Sequence, residues 1–153
     1  MWIDGGRGEG YKGGVKILGL DLGERRVGVA VSDPEERVAH PLEQIEVRGR
    51  RDLVAQVARL VVETGAQEVV VGLPVRLDGT VGAQARRVEA TVEALREALA
   101  VPVAVWDERF STRQADRAMQ EAGLSADRRR AKRDKVAAAL ILQSYLDARS
   151  PRA

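Results

Sequence analysis

Through the first half of the chain, apolar residues cluster in short runs broken by charged or Gly-bearing turns. Val15–Leu22 and Arg26–Asp33 are two such runs, joined by Gly23-Glu24-Arg25, and the spacing predicts a β-hairpin. Val38–Val47 reads as a third strand, and Pro41 places it at a sheet edge, where a missing N–H is tolerated. In Arg51–Thr64 the apolar positions are 53, 54, 57, 60 and 61, the one-sided spacing of a helix, closed by Gly65. Glu68–Leu73 is a nearly continuous β-branched run, as expected of a strand covered on both faces. Gly82–Leu99 carries Ala85, Val88, Val92, Leu95 and Leu99 along one helical side, and Val101–Trp106 reads as another buried strand. Ser111–Ala122 reads as a helix capped by Ser111 or Thr112. Residues 123–131 read as a polar, basic loop, and a last helix is expected from Lys132 to Ala148. The order β-β-β-α-β-α-β-α-α predicts an α/β fold. Its mixed sheet is an antiparallel meander followed by parallel strands, with helices on both faces.

A length of 153 residues fits one domain. Residues 1–14 contain six Gly and no apolar pattern, so they read as a flexible extension before a domain spanning 15–149 and a tail at 150–153. Apolar residues make up 44% and charged residues 31%, the balance of a water-soluble globular chain. No apolar run reaches the roughly 18 residues of a membrane span. The N-terminus lacks the apolar core of a secretion signal, and with no Cys a cytoplasmic location is expected. The absence of Cys and the single His40 exclude thiolate and His-rich metal sites. Any metal must be held by oxygen, which favours Mg²⁺ or Mn²⁺.

Net charge is only +2, but its distribution is uneven. From Arg109 to Lys135 nine cations face four anions, a local excess of five that exceeds the whole-chain value. Arg109, Arg113, Arg128, Arg129, Arg130 and Lys132 are the candidate contacts to a polyanion such as nucleic acid, and such binding is salt-dependent. The competing reading is a solvated charge run on a loop. Arg25, Arg26 and Arg76 are further candidate phosphate contacts. Asp78-Gly79-Thr80 leads into the helix near Gly82, whose free N–H groups suit a phosphate, although the same residues also suit a plain turn and cap. Aromatic residues make up only 3%, so recognition through backbone and shape is favoured over base readout. Phe110 reads as a core residue ahead of a base-stacking one.

Three acidic positions fall where elements end: Asp21, the pair Asp107-Glu108, and Asp134. A carboxylate at the mouth of a buried strand is costly without a positive partner. Carboxylates converging at strand ends can hold one or two divalent cations through oxygen, which suits phosphodiester hydrolysis. Each has a structural alternative. Asp21 can cap a turn. Asp107 and Glu108 point to opposite faces in a regular strand, so one faces the site and the other pairs with an Arg. Asp134 can be an acid at a helix start, complementing the dipole.

Four blocks in order resemble the YqgF family, also called RuvX, of the ribonuclease H-like superfamily, over about residues 16–147. They are Gly19-Leu20-Asp21-Leu22-Gly23 through Arg26–Asp33; Val71-Gly72-Leu73-Pro74 with Asp78-Gly79-Thr80; Asp107-Glu108-Arg109-Phe110-Ser111-Thr112; and Asp134 followed by Ala137-Ala138 and Ile141–Leu146. The resemblance implies a ribonuclease H-like fold and an Asp, Glu, Asp metal site, carried over as Asp21, Glu108 and Asp134. Arg133 departs from the pattern, standing where the family often has an apolar residue.

The family is associated with maturation of the 5′ end of pre-16S ribosomal RNA and has also been proposed to resolve Holliday junctions. The expected function is therefore a Mg²⁺- or Mn²⁺-dependent endonuclease acting on structured nucleic acid, foremost pre-16S rRNA. Junction DNA is the alternative substrate, and a non-catalytic RNA-binding assembly factor the alternative role. Asp-x-Gly between two strands also resembles the phosphate-binding hairpin of actin-like ATPases, but those need two lobes. Monomer and homodimer are both compatible with the sequence, and junction resolution requires the dimer.

Overall fold

The computed structural model describes residues 15–76, 78–110 and 126–149, with side chains in the last helix from 136 onward. Five strands form one sheet: β1 (Ile17–Leu22), β2 (Arg26–Ser32), β3 (Ala39–Glu46), β4 (Glu68–Leu73) and β5 (Val103–Asp107). Their order is β3-β2-β1-β4-β5. The pairs β1–β2 and β2–β3 are antiparallel, while β4 runs parallel to both β1 and β5. This is the expected mixed sheet, with β3 at an edge. Pro41 pairs with Ala30 beside a register shift, and the next pair, Val29–Glu43, skips Leu42. The ring that cannot donate to a ladder therefore sits at an irregularity of an edge strand.

Helices α1 (Arg50–Thr64) and α2 (Ala83–Ala98) cover one face, and α3 (Ala126–Arg149) covers the other. Strand alternation sorts the core between them. Leu18, Leu20, Val27, Val29, Val69, Val71 and Val103 pack with Leu53, Val57, Leu60, Val88, Val92 and Leu95. Ile17, Ala30 and Val70 pack with Ala138, Ala139, Leu142 and Leu146. Leu20 and Leu142 are fully buried, and truncating either to Ala costs about 2–5 kcal/mol. Gly65 closes α1 in the left-handed conformation, at φ 74°.

Helix α3 lies close on β1 because Gly19 has no side chain. A Cβ there would stand 2.8 Å from Leu142 Cβ and 3.2 Å from the Ala138 carbonyl oxygen. Polar anchors fix the helix along its length. Gln143 Oε1 accepts from the Ala39 N–H at 2.9 Å, and its Nε2 donates to the Arg37 carbonyl at 2.9 Å. Trp106 Nε1 donates to Ser144 Oγ at 2.9 Å. Tyr145 OH donates to Glu68, which also pairs with Arg149 at 2.8 Å.

Two sequence expectations change. The stretch 126–131, read as loop, is helical, so α3 begins six residues before Lys132. Its Ala and Arg residues are strong helix formers, and no Gly or Pro stands among them, whereas the missing apolar period had argued for a loop. The helix is also broken at Val136, where φ is −124° and ψ 20°. The expected helix Ser111–Ala122 lies outside the described residues.

Candidate active site

β1, β4 and β5 are parallel, so their C-terminal ends share one edge of the sheet, where ligands gather in α/β folds. Asp21 is the fifth residue of β1, and Asp107 ends β5. Alternation decides which carboxylates meet. Asp21 follows Ile17 and Gly19 onto the α3 face. On β5, Val103 and Val105 turn to the α1/α2 core, while Ala104 and Trp106 turn to α3. Glu108 continues that second series, and the floor beneath it is Gly72. A Cβ on Gly72 would meet Glu108 Cγ and Oε2 at 2.9 Å and Ile141 Cδ1 at 2.6 Å.

Asp107 turns the other way and is held by Arg109. The two form an ion pair of 2.6 Å, and the Arg109 backbone N–H donates to Asp107 Oδ1 at 2.9 Å. Asp107 thus caps the helical turn that opens with Glu108. Of the two acids, Asp107 is the one that meets an Arg, and Glu108 turns to the α3 face.

Burial, then the negative charges of Asp21 and Asp107, push the Glu108 carboxyl up to about 7. Two carboxylates close enough to oppose each other's ionisation, one of them largely buried, form a pair of oxygen donors. A donor set of oxygens only fits Mg²⁺ or Mn²⁺. Among the described residues no group of three acids or His forms a ready metal cluster. Asp134 stands two residues before the break in α3, and its side chain lies outside the described residues, as do Arg113, Arg128, Arg129, Arg130 and Lys132.

Asp21 opens into a cleft of about 410 Å³ bounded by β2, β3 and the second half of α3, lined by Arg26, Gly28, Pro41, Leu42, Glu43, Gln44 and Val136–Ala139. A cleft of about 540 Å³ lies on the opposite face, lined by Arg50, Arg87 and Thr91 among others, but it holds neither Asp21 nor Glu108. Of the two acids, Asp21 lines the smaller cleft and Glu108 lines neither.

The cationic candidates separate in the same way. Arg25 is exposed in the β1–β2 turn, and its carbonyl accepts from the Val47 N–H at 2.8 Å. Arg76 lies over the start of α2, its Nη2 2.7 Å from where a Gly82 Cβ would stand. Arg109 is taken up by Asp107. The Asp78 carboxylate is occupied by Thr80, accepting from its N–H at 2.9 Å and its hydroxyl at 2.7 Å, which holds it below its ordinary value. That turn is accounted for by its own hydrogen bonds. Phe110 is not core: it is 48% exposed, its ring 5.5 Å from Trp106.

A family model described as RuvX, Holliday junction resolvase, matches residues 15–148. A protein of Chloroflexus aggregans named "Putative pre-16S rRNA nuclease" is 46% identical over 133 residues, covering 87% of this chain and 94% of its own. One of Pelotomaculum thermopropionicum with the same name is 45% identical over 134 residues, covering 87% of each. Among solved structures, T. thermophilus RuvC in complex with a Holliday junction substrate superposes with a TM-score of 0.57 at 18% identity, covering 88% of this chain and 95% of that one. At that identity the likeness shows the fold, which is the ribonuclease H-like one. With four motif blocks in order and a family match across the folded region, the chain belongs to the RuvX family.

Proposed function

We propose that this chain is a divalent-metal-dependent endonuclease that hydrolyses a phosphodiester bond in structured RNA, at the 5′ end of pre-16S rRNA. The observation that carries it is the meeting of Asp21 and Glu108 on the α3 face at one edge of the sheet, with their charges in mutual opposition. Asp21, Glu108 and Asp134 would hold Mg²⁺ or Mn²⁺ through carboxylate oxygens. The chemistry such a cation supplies when bound is activation of water for attack on phosphorus and stabilisation of the leaving oxygen.

The chain's own residues do the rest. Asp21 projects from a strand locked on both sides by pairing to β2 and β4, so its position is fixed before substrate arrives. Glu108 is held against Gly72 and opens the turn whose Arg109 N–H donates to Asp107. With its carboxyl near 7, Glu108 would have to give up a proton near neutral pH in order to hold a cation. Arg76, Arg113, Arg128, Arg129, Arg130 and Lys132 are proposed to draw in and orient the phosphate backbone, with Arg109 acting from its place on Asp107. No described helix is long and apolar enough to cross a membrane, and the RNA reading implies a cytoplasmic enzyme.

The description of the matching family favours a second reading, resolution of Holliday junctions. Cleavage of a pre-16S precursor and of a four-way DNA junction, run side by side with Mn²⁺, separates the two. The account predicts cutting of the RNA at its 5′ leader. Symmetric paired nicks in the junction, with the RNA left intact, would replace it, and that outcome also requires a dimer in solution. RNA binding without cleavage under any metal would support the non-catalytic role.

A further inference from the structure

Two breaks in regular structure face each other across the cleft beside Asp21. On one wall the β2–β3 register shifts between Val29 and Ala30, so Leu42 has no partner. On the other, α3 leaves helical geometry at Val136. Both residues line the cleft. Its floor is Gly28, paired with Asp21, and a Cβ there would stand 3.5 Å from Ala138 Cβ and 3.7 Å from Asp21 Cβ. Small residues and two backbone breaks leave a cleft beside the packed contact that Ala138 and Ala139 make with the sheet.

Arg26 stands at the lip of this cleft. It lies two residues from Gly28 on β2, hence on the same face as Gly28 and Asp21. Its side chain is exposed, and among the described residues its guanidinium has no ion-pair or hydrogen-bond partner. Other arginines are engaged: Arg109 by Asp107, Arg96 by the Val103 carbonyl, Arg50 by Thr91. Arg25, its neighbour, is absent from the cleft lining. An exposed guanidinium beside a carboxylate proposed to hold a cation suits an anion that must lie next to that cation. The planar fork matches two phosphate oxygens.

We propose that the cleft between the β3 bulge and the α3 break seats the nucleic acid backbone, and that Arg26, rather than Arg25, grips a phosphate there. This rests on the nuclease reading and specifies how that site takes its substrate. The test is binding rather than cutting. A fluorescein-labelled RNA hairpin carrying the pre-16S 5′ leader is titrated with the full chain in EDTA across a range of salt, for the parent, Arg26→Gln, Arg26→Lys and Arg25→Gln. Arg26→Gln is expected to weaken binding about tenfold and to lower the slope of log affinity against log salt by about one. Arg26→Lys keeps the slope, and Arg25→Gln stays within about twofold of the parent, as expected for an exposed turn cation. Parent-like affinity and slope in Arg26→Gln, or an equal loss in Arg25→Gln, overturns the assignment while leaving the nuclease reading standing. A parent that cuts no RNA and binds none at any salt overturns both.

Discussion

Gly72, near the end of β4, and Glu108, one residue past β5, are in direct proximity, and the side chain that Gly72 lacks is the space the glutamate occupies. A Cβ there would come within 2.9 Å of Glu108 Oε2 and 2.6 Å of Ile141 Cδ1. Gly72→Ala is therefore expected to displace the carboxylate. Overpacking of this kind costs about 1–3 kcal/mol of stability, and misplacing a catalytic group by about 1 Å costs roughly a hundredfold in rate. Thermal melting and metal-dependent cleavage measured on the same preparation check it, and an unchanged kcat would contradict it.

Metal-free stability should carry the signature of Glu108. Its carboxyl rises from an ordinary 4.5 to about 7 in the folded chain. Between those values the folded state holds the proton that the unfolded state has lost, so stability falls as pH rises through the window. The gap is worth on the order of 3 kcal/mol. In EDTA, Glu108→Gln should raise the melting temperature relative to the parent at pH 8 and leave it nearly unchanged at pH 4. Mn²⁺ should stabilise the parent more at pH 8 than at pH 5, because it must displace a proton at the lower pH. A difference between parent and variant that does not vary with pH would refute this.

Asp107 and Glu108 have opposite assignments, and their variants should diverge. The Asp107–Arg109 pair is partly exposed, so Asp107→Asn keeps an acceptor for the Arg109 N–H and should lower kcat by less than about tenfold. Glu108→Gln removes a proposed metal ligand and should lower it by roughly a hundred- to a thousandfold. Equal losses would show that the two roles have been separated wrongly.

Anchoring of α3 is separable from chemistry. Tyr145 donates to Glu68 at the first residue of β4, the end of the sheet away from Asp21, and burial followed by that hydrogen bond pushes its phenol up to about 12. Tyr145→Phe should cost about 1–3 kcal/mol while leaving kcat intact. A large kcat loss at temperatures where the variant is fully folded would link this end of the helix to the site.

Much of the fold was legible because each strand carries its own periodicity. The β-branched run Glu68–Leu73 is β4 residue for residue, and Pro41 marked the edge strand. The start of α3 was hidden because a helix rich in Arg and Lys shows no apolar stripe. The break at Val136 was hidden because neither Pro nor Gly marks it. For the site, period-two alternation alone separated Asp107 from Glu108, although only the family resemblance said which one to prefer. The exposure of Phe110 depends on the turn after β5 and had no sequence signal. Arg26 was distinguishable from Arg25 in principle, since it shares strand parity with Gly28, opposite Asp21. The parity rule needs the pairing register, and the sequence does not print it.

The central claim is that Asp21 holds the cation on which phosphodiester cleavage depends. Its most direct test is single-turnover cleavage of a pre-16S precursor by the parent and by Asp21→Asn, each with Mn²⁺ and with EDTA. The account predicts cutting by the parent with Mn²⁺ alone, and a loss of roughly a hundredfold or more in the variant. Cleavage that persists in EDTA, or a variant as active as the parent, would contradict it.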